Sequence, residues 1–349
     1  MSDISIYKKR VGGIRKILEQ KKLGCLLITS CANVTYISGF LGDDSWAVIT
    51  DKQVYLLTDN RYTEQARKQC RNCKIIERKG PMAAAAAEIL LKHKGKKDIA
   101  VESSITIGQL QQIKKHLKKP LKNVTGLVES LRRTKDDTEI KNIKTAVKLA
   151  HKALKNILPK IKPSITESEL AGYIDLQIRK LGSQNSFQTI VAFGENAAEP
   201  HHISTNRKLR KNDSVLIDFG AKANGYCSDL TRCFTVGKIN AEYAKAYQAV
   251  EHAQKAAIEK IKDGADIRQV DQAARDIIRK YGFKPHGHGT GHGLGLEVHE
   301  QPAVASSVKD KLKAGDVITI EPAIYISGKF GIRLEEDVLV TKTGCKVLS

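Results

Sequence analysis

Four carboxylates between residues 218 and 335 occur as two pairs at matching places in a repeated segment. Lys208-Leu209-Arg210-Lys211-Asn212-Asp213-Ser214-Val215-Leu216-Ile217-Asp218 and Lys311-Leu312-Lys313-Ala314-Gly315-Asp316-Val317-Ile318-Thr319-Ile320-Glu321 align at a constant offset. Leu, Asp and Ile recur identically, while Val/Ile and Asp/Glu recur in kind. Each segment reads as a turn with Asp feeding a β-strand that ends on a carboxylate. A second acid follows each first one, Asp229 eleven residues after Asp218 and Glu335 fourteen after Glu321, with glycines between. Those spacings suit antiparallel hairpins, in which the end of one strand lies beside the start of the next. Two hairpins related by a pseudo-twofold would aim four acids at one point, and four buried anions need cations to offset their cost. Taken singly, each acid would read as a strand-end group bonded to solvent or lysine. Their matched placement in a repeat is what argues for metal.

Between the hairpins lies His286-Gly287-His288-Gly289-Thr290-Gly291-His292-Gly293-Leu294-Gly295-Leu296-Glu297-Val298-His299. Alternate glycines exclude a stable helix and let the backbone approach a ligand closely, so an extended strand or turn lining a site is expected. His288, His292 and His299, with His201 and His202 after Pro200, exceed what scattered surface histidines would supply. One histidine with four carboxylates is a hard, oxygen-rich set that favours Mn²⁺ or Co²⁺, with Zn²⁺ and Fe²⁺ as alternatives, over thiolate-bound sites.

The elements that must position these groups fall into two domains, 1–133 and 134–349, in a chain of 349 residues. In the first, helix-like and strand-like stretches alternate: a helix over Val11 to Lys22, strands at Gly24 to Thr29, Trp46 to Thr50 and Gln53 to Leu57, a helix over Thr63 to Cys70, a strand at Lys74 to Glu77, a helix over Ala83 to His93, and a strand at Asp98 to Glu102. This predicts a small α/β domain. A long amphipathic helix from Thr138 to Leu158 opens the second, which adds helices at Ser168 to Leu181, Ala241 to Lys262 and Ile267 to Tyr281 around strands rich in glycine. The fold class is α/β (α+β), helices on sheet.

The net charge of +21 is concentrated in residues 1 to 133, where 26 Lys+Arg face 12 Asp+Glu. Runs such as Lys92 to Lys97 and Lys114 to Lys119 lack interleaved aromatics, so a solvated lysine-rich surface is expected rather than a nucleic-acid groove. Seven cysteines at irregular spacing suit reduced thiols, and Cys70-x-x-Cys73 reads as a pair of surface thiols. The start carries no signal-like apolar stretch and no run is long enough to span a membrane, so a cytoplasmic location is expected.

At Ile217-Asp218-Phe219-Gly220, Ser228-Asp229-Leu230-Thr231-Arg232, His288-Gly289-Thr290-Gly291-His292-Gly293, Ile320-Glu321-Pro322 and Ile332-Arg333-Leu334-Glu335-Glu336, the chain resembles the metallopeptidases with the pita-bread fold. These include methionine aminopeptidases, aminopeptidase P and prolidase. Asn33-Val34-Thr35-Tyr36-Ile37-Ser38-Gly39-Phe40 and Thr58-Asp59-Asn60-Arg61-Tyr62-Thr63-Glu64-Gln65-Ala66 resemble the creatinase/prolidase-type amino-terminal domain of the proline-directed members. The resemblance implies that Asp218 binds one metal, that Asp229 and Glu335 bridge two, and that His292 and Glu321 bind the second. It further implies that His201 and His299 stabilise the tetrahedral intermediate, that Glu321 shuttles the proton, that His288 and Phe187 face substrate, and that Arg333 supports the bridging glutamate. The implied function is hydrolysis of the Xaa-Pro bond at the amino terminus of peptides by water activated between two divalent ions, in a homodimer. The alternative is an Xaa-Pro dipeptidase; some of these carry an arginine four residues after the histidine matching His299, where this chain has Ala303. A non-catalytic binding module is the third reading, disfavoured because such members lose metal ligands and all five are present here.

Overall fold

Short runs that are apolar along their whole length, such as Leu23–Ile28 and Trp46–Thr50, are what strands covered on both faces require. They form the middle of a six-stranded sheet in the first of two compact units, Met1–Arg132 and Arg133–Ser349. The structure is a computed structural model that describes residues 3–70, 72–92, 98–117 and 119–349. The lysine-rich stretch 93–97 and Lys118 lie outside the described residues.

The first unit runs α1 (Asp3–Gln20), β1 (Leu23–Ile28), α2 (Cys31–Ser38), β2 (Trp46–Thr50), β3 (Val54–Thr58), α3 (Thr63–Gln69), β4 (Lys74–Glu77), α4 (Met82–Lys92), β5 (Asp98–Glu102), α5 (Ile107–Leu117), β6 (Leu121–Val124) and α6 (Glu129–Arg133). The strand order is β4-β3-β2-β1-β5-β6, with β1 antiparallel to β2 and parallel to β5. Leu27, Val48, Leu57 and Val101 pack under Ala86 and Leu90 of α4 and Ile113 and Leu117 of α5. Four of these elements, α2, α5, β6 and α6, are not expected from periodicity. α2 buries Asn33 and Ser38 beside its apolar residues, which breaks the stripe, and Asn33 bonds to Glu129 and Arg132. In α5 only Ile113 and Leu117 are buried, and Lys114, Lys115 and His116 form its exposed face. Cys70 is a correction: it is buried, not a surface thiol.

The second unit runs α7 (Asp137–Ile157), α8 (Glu167–Lys180), β7 (Gln184–Asn185), β8 (Ile190–Phe193), β9 (Ser214–Phe219), β10 (Ala221–Ala223), β11 (Tyr226–Cys227), β12 (Leu230–Thr235), α9 (Ala241–Glu259), α10 (Ile267–Lys280), β13 (Gly291–Gly293), β14 (Glu300–Val304), β15 (Val317–Ile320), β16 (Ala323–Ile326), β17 (Phe330–Arg333), β18 (Glu336–Val340) and β19 (Cys345–Val347). Strands β8, β9 and β12 form one antiparallel sheet, and β14-β13-β15-β18-β19 another. The first packs Val191, Val215 and Ile217 on Ala150 and Leu154 of α7 and Leu170 and Ile174 of α8. The second packs Ile318, Ile320 and Val338 on Val250 and Ala253 of α9 and Val270 and Ala274 of α10.

The repeat extends well beyond the segments that reveal it in sequence. Thr166 caps α8 in a capping box with Glu169, and Asp266 caps α10. The two caps bridge Lys208 and Lys311, the first residues of the repeated segments. The aspartates inside those segments do parallel work. Asp213 accepts from the Arg210 amide and pairs with Arg207, whereas Asp316 accepts from the Lys313 amide and pairs with Arg133. Each carboxylate thus closes the turn that launches a strand toward the acids.

Asp316 is fully buried, and Arg133 also donates to the Lys311 carbonyl at 2.6 Å. Arg133→Ala strands a buried carboxylate and is expected to cost on the order of 3–5 kcal/mol. Arg207→Ala, at a pair with more solvent around it, costs less. Urea unfolding of the two variants measures the difference, and equal losses would contradict the assignment of Asp316 as the more dependent anion.

Candidate metal centre

Strand pairing brings the four acids together. Asp218, near the end of β9, pairs with Thr231 of β12 and Ile190 of β8. Asp229 immediately precedes β12, and Glu321 and Glu335 sit at the equivalent places, just after β15 and just before β18. Those strands pair antiparallel with Ile320 opposite Glu336. Asp229, His292 and Glu335 each offer a ligand atom within 4.8 Å of the others. His292 Nε2 also stands 3.5 Å from Glu321 Oε1. Asp218, Asp229, His292, Glu321 and Glu335 line one cavity of about 490 Å³ together with Phe187, His201, His288, His299 and Arg333. All ten residues to which the resemblance assigns a role therefore line one cavity.

His292 lies in the middle of β13, where the glycines on either side have a steric purpose. A Cβ on Gly291 would stand 1.9 Å from the Thr319 carbonyl oxygen, closer than any side chain permits. The His292 amide donates to Thr319 Oγ1 at 3.1 Å, and its Nδ1 lies 3.1 Å from the Gly293 carbonyl. With Nδ1–H donating there, the lone pair on Nε2 faces Asp229 and Glu321, the tautomer a metal ligand needs. Burial lowers His292 to about 4, which keeps the ring neutral.

The acids are held in mutual repulsion. Burial, reinforced by Glu335, Asp218, Asp337 and Glu321, pushes Asp229 well above the usual carboxylate range. Burial with Glu321 and Asp218 does the same to Glu335, and burial with Asp218 raises Glu321 to about 7. Arg333 is the nearest cation, and its Nη2 pairs with Asp218 Oδ2 at 2.5 Å. Asp218 Oδ1 is buried with no hydrogen-bond partner. One guanidinium against four acids, an orphaned carboxylate oxygen and a correctly oriented imidazole make a donor set that a divalent cation fits.

Arg333 reaches Glu335 only through an intermediary. Its Nε donates to Thr231 Oγ1 at 3.0 Å, and that hydroxyl donates to Glu335 Oε2 at 2.6 Å. Arg333 Nη1 donates to Tyr325 Oη at 2.7 Å, and Tyr325 Oη lies 3.2 Å from His288 Nε2. His288 Nδ1 lies 2.7 Å from the Gly289 carbonyl, so both of its nitrogens are engaged. Thr231 and Tyr325 have no repeat-related signal in the sequence that would have marked their roles. His202 turns away from the cavity: it is held between Glu167 and Glu199, each at 2.9 Å.

Residues 141–342 match metallopeptidase family M24, and residues 10–134 match the creatinase/prolidase N-terminal domain. The chain belongs to metallopeptidase family M24. Over 350 residues it is 33% identical to an Xaa-Pro dipeptidase of Pyrococcus horikoshii, covering 99% of this chain and 98% of the relative. Among solved structures it superposes on an Xaa-Pro dipeptidase from Bacillus anthracis with a TM-score of 0.94 at 33% identity, covering 98% and 97% of the two chains. It superposes on an X-Pro aminopeptidase from Thermotoga maritima with a TM-score of 0.88 at 32% identity, covering 96% and 97%. Membership of M24 makes this chain a divalent-metal peptidase of mixed α/β architecture with a creatinase-type amino-terminal domain. Among the described residues, no helix is long and apolar enough to cross a membrane.

The raised acids give the M24 site a pH signature. In the metal-free chain Asp229, Glu335 and Glu321 hold protons that the unfolded chain releases at ordinary carboxylate values. Their contribution to stability is present at low pH and lost as pH rises through the folded values, about 7 for Glu321. A bound divalent cation replaces those protons, so its stabilising effect grows with pH. Thermal midpoints with and without Mn²⁺ are expected to diverge between about pH 5 and 8. A gap that stays constant over this range would contradict the buried-acid account.

Proposed function

We propose that this M24 chain is an Xaa-Pro aminopeptidase that binds two divalent ions, Mn²⁺ in preference to Co²⁺, Zn²⁺ or Fe²⁺, and removes an amino-terminal residue preceding proline. In this reading Asp218 binds one ion, Asp229 and Glu335 bridge, and His292 and Glu321 bind the other. When bound, the ions lower the pKa of water and polarise the scissile carbonyl. Glu321, whose amide is fixed by the Thr290 carbonyl at 2.8 Å, takes the proton of the attacking water and returns it to the leaving amine. His201 and His299 line the same cavity and donate to the negative charge that develops on the carbonyl oxygen. Phe187, Ile190 and Val298 supply apolar wall for a proline ring.

The observation that carries the choice of aminopeptidase is the charge of the cavity lining. Among its residues only Arg333 bears a fixed positive charge, and Arg333 is committed to Asp218. A dipeptide would bring a free carboxylate into this acidic chamber, where Ala303 offers it nothing. Arg207 is no substitute, since Glu195 and Asp213 occupy it. The similarity to Xaa-Pro dipeptidases of Pyrococcus horikoshii and Bacillus anthracis favours the second reading, an Xaa-Pro dipeptidase. The working form in either case is a cytoplasmic homodimer.

Metal-free protein reconstituted with Mn²⁺, Co²⁺ or Zn²⁺ and given an Xaa-Pro dipeptide and an Xaa-Pro tripeptide separates these readings. Turnover of the tripeptide is expected, and cleavage of the dipeptide alone would establish the dipeptidase. Asp229→Ala should abolish turnover; intact activity would refute the dinuclear site. His299→Ala should lower kcat about 100- to 1,000-fold with metal content unchanged.

A further inference from the structure

The glycine-rich segment that presents His288 and His292 is hard to hold still. Gly287, Gly289, Gly291 and Gly293 offer no side chains to pack, and glycine has the most backbone freedom to lose on ordering. What such a segment does offer is carbonyl groups, and only a donor can grip a carbonyl. Arg275 of α10 supplies the donors. Its Nη1 reaches the His286 carbonyl at 2.9 Å and its Nη2 the His288 carbonyl at 2.6 Å, while Nε donates to Asp271 Oδ2 at 2.7 Å. Asp271, one turn earlier and fully buried, turns its other oxygen to Thr290, whose amide and hydroxyl donate to it at 3.2 and 2.7 Å. The Thr290 carbonyl in turn accepts from the Glu321 amide.

The other half of the pseudo-twofold shows why an arginine is used. Counting 100 residues back along the matched helices, the place of Arg275 in α8 belongs to Asp175. Asp175 Oδ1 accepts from Thr189 Oγ1 at 2.6 Å and from Asn185 Nδ2. Side chains of the approach to β8 donate there, so a carboxylate suffices. In the second half the corresponding threonine, Thr290, is taken by Asp271, and the glycine-flanked His286 and His288 carbonyls need donors, which Arg275 brings.

We propose that Arg275, locked by Asp271, is a positioning residue that sets how the His288 and His292 rings are presented to the cavity. Neither Arg275 nor Asp271 lines that cavity, so both act through the segment they hold. The inference rests on the peptidase reading for its turnover measurement, and its Mn²⁺-binding measurement is independent of substrate.

Calorimetric titration of metal-free protein with Mn²⁺ and steady-state hydrolysis of an Xaa-Pro tripeptide test it. For Arg275→Ala, weaker Mn²⁺ binding is expected together with a fall in kcat of roughly 10- to 100-fold, the range typical when the support of a metal ligand is removed, with KM changing less. Added guanidinium ion should recover part of the loss. Arg275→Lys keeps a charge beside Asp271 but reaches fewer carbonyls, so it should fall between Arg275→Ala and wild type. Arg279→Ala, at an exposed ion pair on the same helix, should leave both constants unchanged. The proposal is overturned if the Arg275 variants lose thermal stability while Mn²⁺ affinity and kcat stay at wild-type values. Arg275→Lys decides alone if Arg275→Ala does not fold. Wild-type protein that binds Mn²⁺ but cleaves no Xaa-Pro peptide refutes the functional reading instead, and the Mn²⁺ comparison still stands.

Discussion

Four carboxylates converging in a buried chamber are an electrostatic liability that the fold must restrain until a cation arrives. Burial and the neighbouring acids, Asp218 among them, raise the pKa of Asp229, Glu321 and Glu335, and no element carrying them is free to relax. Antiparallel ladders hold the strand ends, and Arg333 neutralises only Asp218. Thr231 restrains Glu335 from below. The Asp229 amide donates to a further buried acid, Asp337, at 3.2 Å. Asp337 is itself raised well above the carboxylate range by burial, so it backs Asp229 without adding a full charge. The rigidity of the two sheets is what keeps a repulsive set of candidate ligands assembled, with Asp229, His292 and Glu335 atoms within 4.8 Å of one another.

How much of this can be read from sequence follows from how each feature is encoded. The matched segments 208–218 and 311–321 are legible because both solve the same local problem with the same residues: a turn closed by Asp, an apolar strand and a terminal acid. His288 and His292 are legible because glycines flank them. Tyr325 and Thr231 are not, because a single hydroxyl on a strand has no period, and its partner Arg333 is brought to it only by sheet pairing. Arg133 illustrates the same limit at longer range, since its partner Asp316 lies 183 residues away and nothing local to either residue announces the pair. Helix α2 escapes for a different reason: its buried face contains Asn33 and Ser38, which are satisfied by hydrogen bonds that no hydropathy pattern records, Asn33 to the distant Glu129 and Ser38 to the Val34 carbonyl within the helix.

The two halves are also unequal in a way that matters chemically. In the first, β8 carries Ile190, Val191, Ala192 and Phe193, an ordinary buried strand whose approach is fixed by Thr189 and Asp175. In the second, the equivalent place is Gly291-His292-Gly293, which gives up side-chain packing so that an imidazole can reach the acids and the backbone can lie against Thr319. That substitution removes the usual means of ordering a strand. The compensation comes from α10, a helix whose Val270, Ala274 and Ile278 are buried in the core. Core packing therefore fixes the helix, the helix fixes Asp271 and Arg275, and these fix a glycine-rich segment that could not fix itself. The asymmetry of the repeat is the reason this half can place an imidazole beside the acids where the other has an apolar strand.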